Sequence, residues 1–535
     1  MFRFLGLRTW RHTLLLCWTV LWVWYGSPDP SWGQDTHYQN YIMGQRATGM
    51  GGAFVAIAND PSAAWYNPAG FATGEGLQVG IGLTLYGLEY RKLKDALFRP
   101  EGQSDLERLE FIIFPSTAGV AARFGPRDKT GKPVWGAGFS ILMPYRSQIR
   151  FRTSFQDTVG TSRREASFIL HRDDQTFMAG PTISRRFGPV SIGLSLLYSH
   201  RAFGWMLTEN DTLSDCEASD LQNCVVNSAN SVTSSVEGFV GQFNFRVGLL
   251  AQINEKWRFG ISASLSSIRL WGDGNFFLQQ FSIPRDTDRT PTNNFNRRSQ
   301  GLKVTSPLPW EVRAGFAVNP NPRLLIALDV VFYAPMKYIL VDLGENVDLF
   351  QYPREVQRNL LFNVNFGGEY KISPVVPFRW GLYTNLSSAP PIPEISNTPY
   401  LPQVHMFGAT TSIGLRLWRL SFDLGVSVSY GEGFAQRFRP GTVVAFERVR
   451  VRQLFAHFYL AGATEMLGRS LQELWKTVQR SVRKRGGVFP PMRRKLEPAK
   501  PKNPTASTSQ SGTKKSSESS TPPVRKRPPS TRKSQ

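Results

Sequence analysis

The stretch GLQVGIGLTLYGL, residues 76–88, decides the fold. Leu77, Val79, Ile81, Leu83 and Leu85 fall on one face of an extended chain, and Gln78, Gly80, Gly82, Thr84 and Tyr86 on the other. A period of two marks a β-strand, because successive side chains point to opposite faces. VSIGLSLLYSH (190–200) repeats the pattern, with Val190, Ile192, Leu194 and Leu196 opposite Ser191, Gly193 and Ser195. In FVGQFNFRVGLL (239–250), Asn244 and Arg246 alternate with Phe243, Phe245 and Val247. Unpaired amide and guanidinium groups cannot share an oily core with those phenylalanines. One face therefore meets apolar material and the other meets water or polar groups.

About fourteen such runs can be placed, near 76–90, 111–125, 135–150, 165–186, 189–205, 236–252, 257–272, 300–317, 323–337, 358–372, 376–387, 403–418, 419–431 and 449–463. An even number suits an all-β, closed antiparallel transmembrane β-barrel, which leaves no sheet edge unpaired. RRFGPV, INEK, NPNPR and LWRL make short links after the fourth, sixth, eighth and twelfth strands. The links after the fifth and seventh are polar and are expected to run to roughly thirty residues. Short turns at one end and long loops at the other are the asymmetry of bacterial outer-membrane barrels. Trp135, Trp257, Trp271 and Trp418 at strand ends fit the aromatic girdles of the two interfaces. A soluble β-sandwich or propeller would not require such asymmetry.

The chain opens with Arg3, Arg8 and Arg11, then an apolar run from Thr13 to Tyr25, then the small residues Ser31 and Gly33. This order is that of a secretory signal peptide, 1–33, with cleavage expected near Gly33/Gln34. Leu16 ahead of Cys17 is too bulky for a lipoprotein cut. Beyond the signal only Cys216 and Cys224 remain, in SDCEASDLQNC, and an oxidising export compartment favours a disulfide over two free thiols. No segment offers the roughly 18 apolar residues of a membrane-spanning helix.

Past the last strand, MLGRSLQELWKTVQRSVRKR places Leu467, Leu471, Leu474, Trp475 and Val478 at helical spacing, predicting an amphipathic helix over 465–485. Residues 486–535 are Pro, Ser, Thr, Lys and Arg and are expected to be a basic disordered periplasmic tail. Residues 465–535 hold eighteen of the basic and four of the acidic residues, more than half of the chain's formal excess of +23. Behind a signal and a barrel, such a tail argues against nucleic acid and fits either a solvated segment with no specific partner or one that meets anionic lipid or cell-wall polymer. GQRATGMG has Met50 where a phosphate loop needs lysine. The six histidines (His12, His37, His171, His200, His405 and His457) lack metal-ligand spacing, so no metal and no cofactor are expected. An enzyme is not expected either; a lipid hydrolase with a dispersed triad is the alternative in that class.

The N-terminal piece ahead of the first strand is of another kind. GQRATGMGGAFVAIA (44–58) is dense in Gly and Ala, and NDPSAAWYNPAGF (59–71) carries two prolines and an Asn-Pro-Ala-Gly run. Small residues allow close backbone approach, and proline removes donors, so neither a strand nor a long helix is expected. GMGGAFVAIA, the Asn59-Asp60-Pro61 break and Asn67-Pro68-Ala69 together resemble the hatch of the FadL/TodX family, outer-membrane transporters of long-chain fatty acids and other hydrophobic compounds. The resemblance covers roughly 35–464. It implies a fourteen-stranded barrel (76–464) plugged by a small N-terminal hatch in the lumen (34–75), in the bacterial outer membrane. It implies that Asp60, Pro61, Asn67, Pro68 and Ala69 belong to a gate. It also implies that Pro144, interrupting the third strand in GAGFSILMPYRS, marks a kink opening the wall sideways.

The expected function is passive transport of hydrophobic small molecules, long-chain fatty acids or hydrocarbons, by hatch gating with lateral exit. The expected partners are that ligand and outer-membrane lipid. The alternative is an outer-membrane scaffold or attachment protein acting through its basic tail. The chain departs from the family in continuing some seventy residues past the last strand, and no ligand-carboxylate site can be aligned. Arg246 is assigned no ligand role, because a lumen tolerates charge.

Overall fold

A computed structural model describes residues 36–466, apart from 75, 100–101, 130, 160–161, 218–219, 284–292, 345–354 and 440–444. The signal peptide, the basic tail and all but the first two residues of the expected helix lie outside these. Glu465 and Met466 are the last residues of the final strand rather than a helix start.

Fourteen antiparallel barrel strands follow one another around a closed wall. They are β1 Leu77–Arg99, β2 Gly102–Arg127, β3 Pro133–Val159, β4 Ser162–Phe187, β5 Val190–Glu217 and β6 Asp220–Gln252. Next come β7, in two pieces (Trp257–Ser264 and Ile268–Ile283), and β8, also in two (Asn293–Lys303 and Glu311–Asn321). The last six are β9 Leu324–Tyr333, β10 Leu361–Lys371, β11 Pro377–Asn385, β12 Gln403–Leu417, β13 Leu420–Arg439 and β14 Ala445–Met466. β1 closes on β14 from Leu77↔Met466 to Leu93↔Val451. The break in β8 contains Pro307 and Pro309, which have no N–H to give to a ladder. A separate two-stranded ribbon pairs Met336–Ile339 with Glu355–Arg358.

The alternation resolves into an inverted protein. Ile81, Phe139, Ile141, Ile192, Leu194 and Val247 are exposed on the outer wall, whereas Gln78, Asn244 and Arg246 are buried inside. An apolar exterior around a polar interior is stable only where hydrocarbon surrounds it, so this is a transmembrane barrel. Turns after even-numbered strands are short, as at Gly188-Pro189 and Trp418-Arg419. Trp135, Trp257 and Trp418 lie at that short-turn end and Trp271 toward the other.

The expected thirty-residue loop after β5 is not a loop. β5 and β6 stay paired up to Cys216↔Cys224, where the two cysteines are disulfide-bonded. A transmembrane strand needs only about 10 residues, so the 28 and 33 residues of β5 and β6 carry the wall well beyond a bilayer. In TENDTLSD and NSANSVTSS the outer face no longer meets hydrocarbon, so the apolar contrast fades while the backbone goes on pairing.

Inside, the largest buried cluster is built around the N-terminal segment, including Met43, Phe54, Trp65, Tyr66 and Phe71. The wall meets it with glycines. A Cβ at Gly260 would lie 2.4 Å from the Val55 carbonyl oxygen, one at Gly193 2.3 Å from the Pro68 carbonyl carbon, and one at Gly367 2.2 Å from the Met50 carbonyl oxygen. These contacts are backbone to backbone, so no side chain can swing aside. Overpacking costs about 1–3 kcal/mol. Gly260→Val should therefore lower the thermal unfolding midpoint of the purified barrel and speed proteolysis of residues 36–76. Gly204→Val, where a Cβ meets nothing within 4 Å, should do neither.

Candidate functional site: the lumen segment and the wall beside Pro144

The segment enters the lumen at the long-connection end. The Ser388 N–H donates to the Thr36 carbonyl (3.0 Å), and His37 Nε2 lies 3.1 Å from the Asn385 carbonyl oxygen. It descends to the short-turn end, where the Arg123 N–H donates to the Gly76 carbonyl (3.0 Å). Between these points it forms only two single-turn helices, α1 Gln45–Gly49 and α2 Ala63–Tyr66, and a 3-10 turn, Pro68–Ala72.

Each sequence-expected residue has a defined duty here. Asp60 Oδ1 accepts from the Ser62 N–H (2.8 Å) and hydroxyl (2.5 Å), fixing the entrance to α2. Pro61 packs beside Gly119, and its carbonyl accepts from Ser140 Oγ of β3 (2.7 Å). Asn67 is buried with its amide fully used. Its Nδ2 donates to the Val55 carbonyl (3.0 Å) and to the Leu249 carbonyl of β6 (2.9 Å), and its Oδ1 accepts from the Ala69 N–H (3.2 Å). Pro68 opens the 3-10 turn, where a missing N–H costs nothing.

The wall supplies partners that the sequence reading missed. Arg123 of β2 donates Nε to the Phe71 carbonyl (2.9 Å) and Nη2 to the Asn59 carbonyl, spanning the whole irregular stretch. Asp329 of β9 accepts from the Phe54 (2.5 Å) and Val55 (2.7 Å) N–H groups. Glu311 lies between Arg246 and Arg313, whose guanidinium carbons lie 5.0 and 4.6 Å from the Trp65 ring centroid. Arg46 binds Glu369 with both forks (2.9 and 3.0 Å), and Arg379 links Glu369 (2.7 Å) to Asp423 (2.7 Å). The available signal was a lone charge at an inward position of an apolar strand, as in LLIALDVVFY. Burial pushes the Tyr66 phenol above its usual pKa, and it accepts from the Met43 N–H (3.2 Å) as a neutral hydroxyl.

Pro144 sits where the wall loses its ladder. Among the described residues, β2 and β3 pair only from Thr117↔Leu142 to Arg127↔Pro133. Above that level β2 pairs with β1 up to Arg99↔Gly102, and β3 with β4 up to Val159↔Ser162. The β3–β4 register shifts between Leu142 and Tyr145, across Pro144. Proline offers no N–H to β2, and its carbonyl turns to the N-terminal segment, accepting from Asn40 N–H (2.9 Å). The Arg146 carbonyl likewise accepts from Asn40 Nδ2 (3.3 Å) and the Tyr41 hydroxyl (3.2 Å). Tyr41 also donates to Glu89 Oε1 (3.1 Å), which Arg91 holds from the other side (2.8 Å). Inside the kink lies a cavity of ≈ 40 Å³ bordered by Tyr38, Pro144, Met178, Arg201, Leu308 and Arg358. Among the described residues no cluster of His, Cys, Asp or Glu could hold a metal, and no helix is long and apolar enough to cross a membrane.

No known family model and no curated protein matches the chain. Solved structures do. The crystal structure of a Pseudomonas aeruginosa FadL homologue superposes with a TM-score of 0.55 at 11% identity, over 80% of this chain and 99% of that one. The P. putida toluene transporter TodX gives 0.47 at 15%, over 79% and 99%, and the CymD monoaromatic hydrocarbon channel 0.46 at 13%, over 81% and 99%. The first of these shows the fold, a FadL-like barrel.

Asn67→Ala would strip the Val55 and Leu249 carbonyls of a buried donor, and each unsatisfied group costs about 1–3 kcal/mol. Hydrogen exchange should show faster exchange across residues 53–72 in that variant, with the β4–β5 ladder unchanged.

Proposed function

We propose that the chain is a bacterial outer-membrane channel that passes hydrophobic small molecules, of the long-chain fatty acid or hydrocarbon class, down their gradient. The observation that carries this reading is the interrupted ladder between β2 and β3 at Pro144, closed from inside by Asn40 and Tyr41. A ligand arriving among the long hairpins would reach the lumen above residues 41–72. An oily molecule leaving sideways stays in hydrocarbon, whereas one leaving through the short-turn mouth would expose its apolar surface at about 25 cal/mol per Å². The closed wall and filled lumen argue against a general aqueous pore.

The N-terminal segment acts as the gate in this reading. Asp60, Pro61, Asn67, Pro68 and Ala69 hold its lower half to the wall, so the part that moves is the upper strip, residues 36–42. That strip is held by a few bonds near Pro144, Asn385 and Glu89, each replaceable by a passing polar head or by water. The FadL homologue named above supports the assignment through its shared architecture, not through shared residues. No ligand oxidation or hydrolysis is part of the reading.

Two outcomes test it. Thr36→Cys with Ser387→Cys, whose hydroxyls lie 2.5 Å apart, in a Cys216→Ser/Cys224→Ser background, should form a bond that pins the upper end of the strip. Uptake of radiolabelled oleate or toluene into cells should then fall at least tenfold under oxidation and recover on reduction; unchanged uptake would sink the gate. Pro144→Ala restores an N–H and lets β3 pair further with β2, so uptake should fall several-fold while the folded barrel's heat-modifiable gel shift stays the same.

A further inference from the structure

The short-turn mouth of the barrel contains a second feature, independent of the Pro144 region. It opens into a cavity of ≈ 370 Å³ floored by Asn59, Asp60 and Pro61 of the lumen segment. Seven cations border it against three carboxylates, Asp60, Glu369 and Asp423. The carboxylates are already engaged, Asp60 by Ser62, Glu369 by Arg46 and Arg379, and Asp423 by Arg379. That leaves Arg258, Arg323, Lys371, Arg416 and Arg419 with no carboxylate at ion-pair distance among the described residues. Arg258 is half-buried on β7, and the other four sit exposed on three successive short turns and the strand ends beside them.

Like charges gathered around one concavity repel, and a half-buried guanidinium also loses hydration, so such an arrangement is held at a cost unless an anion occupies it. Guanidinium forks match oxyanions in geometry, giving paired charge-assisted hydrogen bonds that a carboxamide or a neutral ligand cannot replace. We infer that the short-turn mouth is an oxyanion-binding site for a phosphate-class group, with Arg258, Arg416 and Arg419 as its principal ligands. The group is either a free phosphate or the phosphate of an anionic lipid headgroup. The cavity admits a group of that size, and seven cations against three carboxylates leave its net field positive. The site would load the mouth with an anion at the base of the lumen segment, a fixed counter-charge for the network that anchors Arg46. This inference does not rest on the transport reading, because binding is read at equilibrium without any flux.

The test uses the full chain in nanodiscs of phosphatidylcholine. Isothermal titration with inorganic pyrophosphate is compared among wild type, Arg416→Gln/Arg419→Gln, Arg258→Gln, and Lys337→Gln, a control on the ribbon at the other end. A second arm measures retention of phosphatidylglycerol by the same proteins through delipidation. Removing a charged hydrogen-bond donor weakens binding by about tenfold or more. Pyrophosphate affinity falling at least tenfold in the arginine variants but not in Lys337→Gln identifies a free oxyanion as the ligand. Retention of phosphatidylglycerol that depends on the same arginines, without pyrophosphate binding, identifies the headgroup. Binding by the basic C-terminal residues is common to all four proteins and cancels in the comparison. Neither ligand binding, or binding indifferent to the arginine variants, overturns the inference. Arg416 and Arg419 are exposed at a turn, so their variant stays folded even if Arg258→Gln does not.

Discussion

Everything in this molecule depends on backbone lying against backbone, where residues 41–72 press on the inward glycines of the wall. Irregular chain cannot face lipid, because its N–H and C=O groups would go unpaired. Sealed in a barrel it can, provided the wall comes close enough to pair with it. Glycine at positions such as 193, 260 and 367 permits that approach, and Arg123, Asp329 and Asn67 then satisfy the groups brought in. The seat and the polar clamps are therefore one device. Without the glycines the clamps could not reach, and without the clamps the buried turns would be too costly to keep.

The same segment links the two ends of the barrel. Its lower half is bound through buried charge-assisted contacts, the strongest kind available inside a protein. Its upper strip is held by neutral hydrogen bonds with the backbone of β3 and at the β11–β12 connection, and by the bond from the Tyr41 hydroxyl to the Glu89 carboxylate. The less firmly held end lies beside the stretch where β2 and β3 stop pairing, and under the transport reading proposed above a small displacement of Asn40 and Tyr41 is what changes access through the wall.

The barrel was legible in the sequence because a one-residue register slip would turn every apolar side chain inward. That constraint forces strict alternation, and all fourteen strands fall where GLQVGIGLTLYGL and its repeats place them. Strand length was not legible. Beyond the membrane the outer face no longer meets hydrocarbon, so TENDTLSD and NSANSVTSS carry no apolar alternation although their backbones go on pairing. Asn67 stood out through its Asn-Pro turn chemistry, but its bond to Leu249 connects positions 182 residues apart and has no local signature. The partners of Arg123, Asp329 and Glu369 were invisible for the same reason: a lumen tolerates charge, so an inward charge does not announce what it binds. Pro144 was visible as a proline inside a strand, but the loss of pairing with β2 emerges only from the assembled sheet.

In the transport reading proposed above, oily ligands cross the wall beside Pro144. Photolabelling tests it most directly, using an alkyl diazirine fatty acid added to the full chain in a bilayer and mapping of the labelled peptides. Label should concentrate on Tyr41, Met143 and the adjoining part of β2 and be displaced by unlabelled fatty acid. Label spread evenly over the lipid-facing wall, and not displaced by competitor, would contradict it.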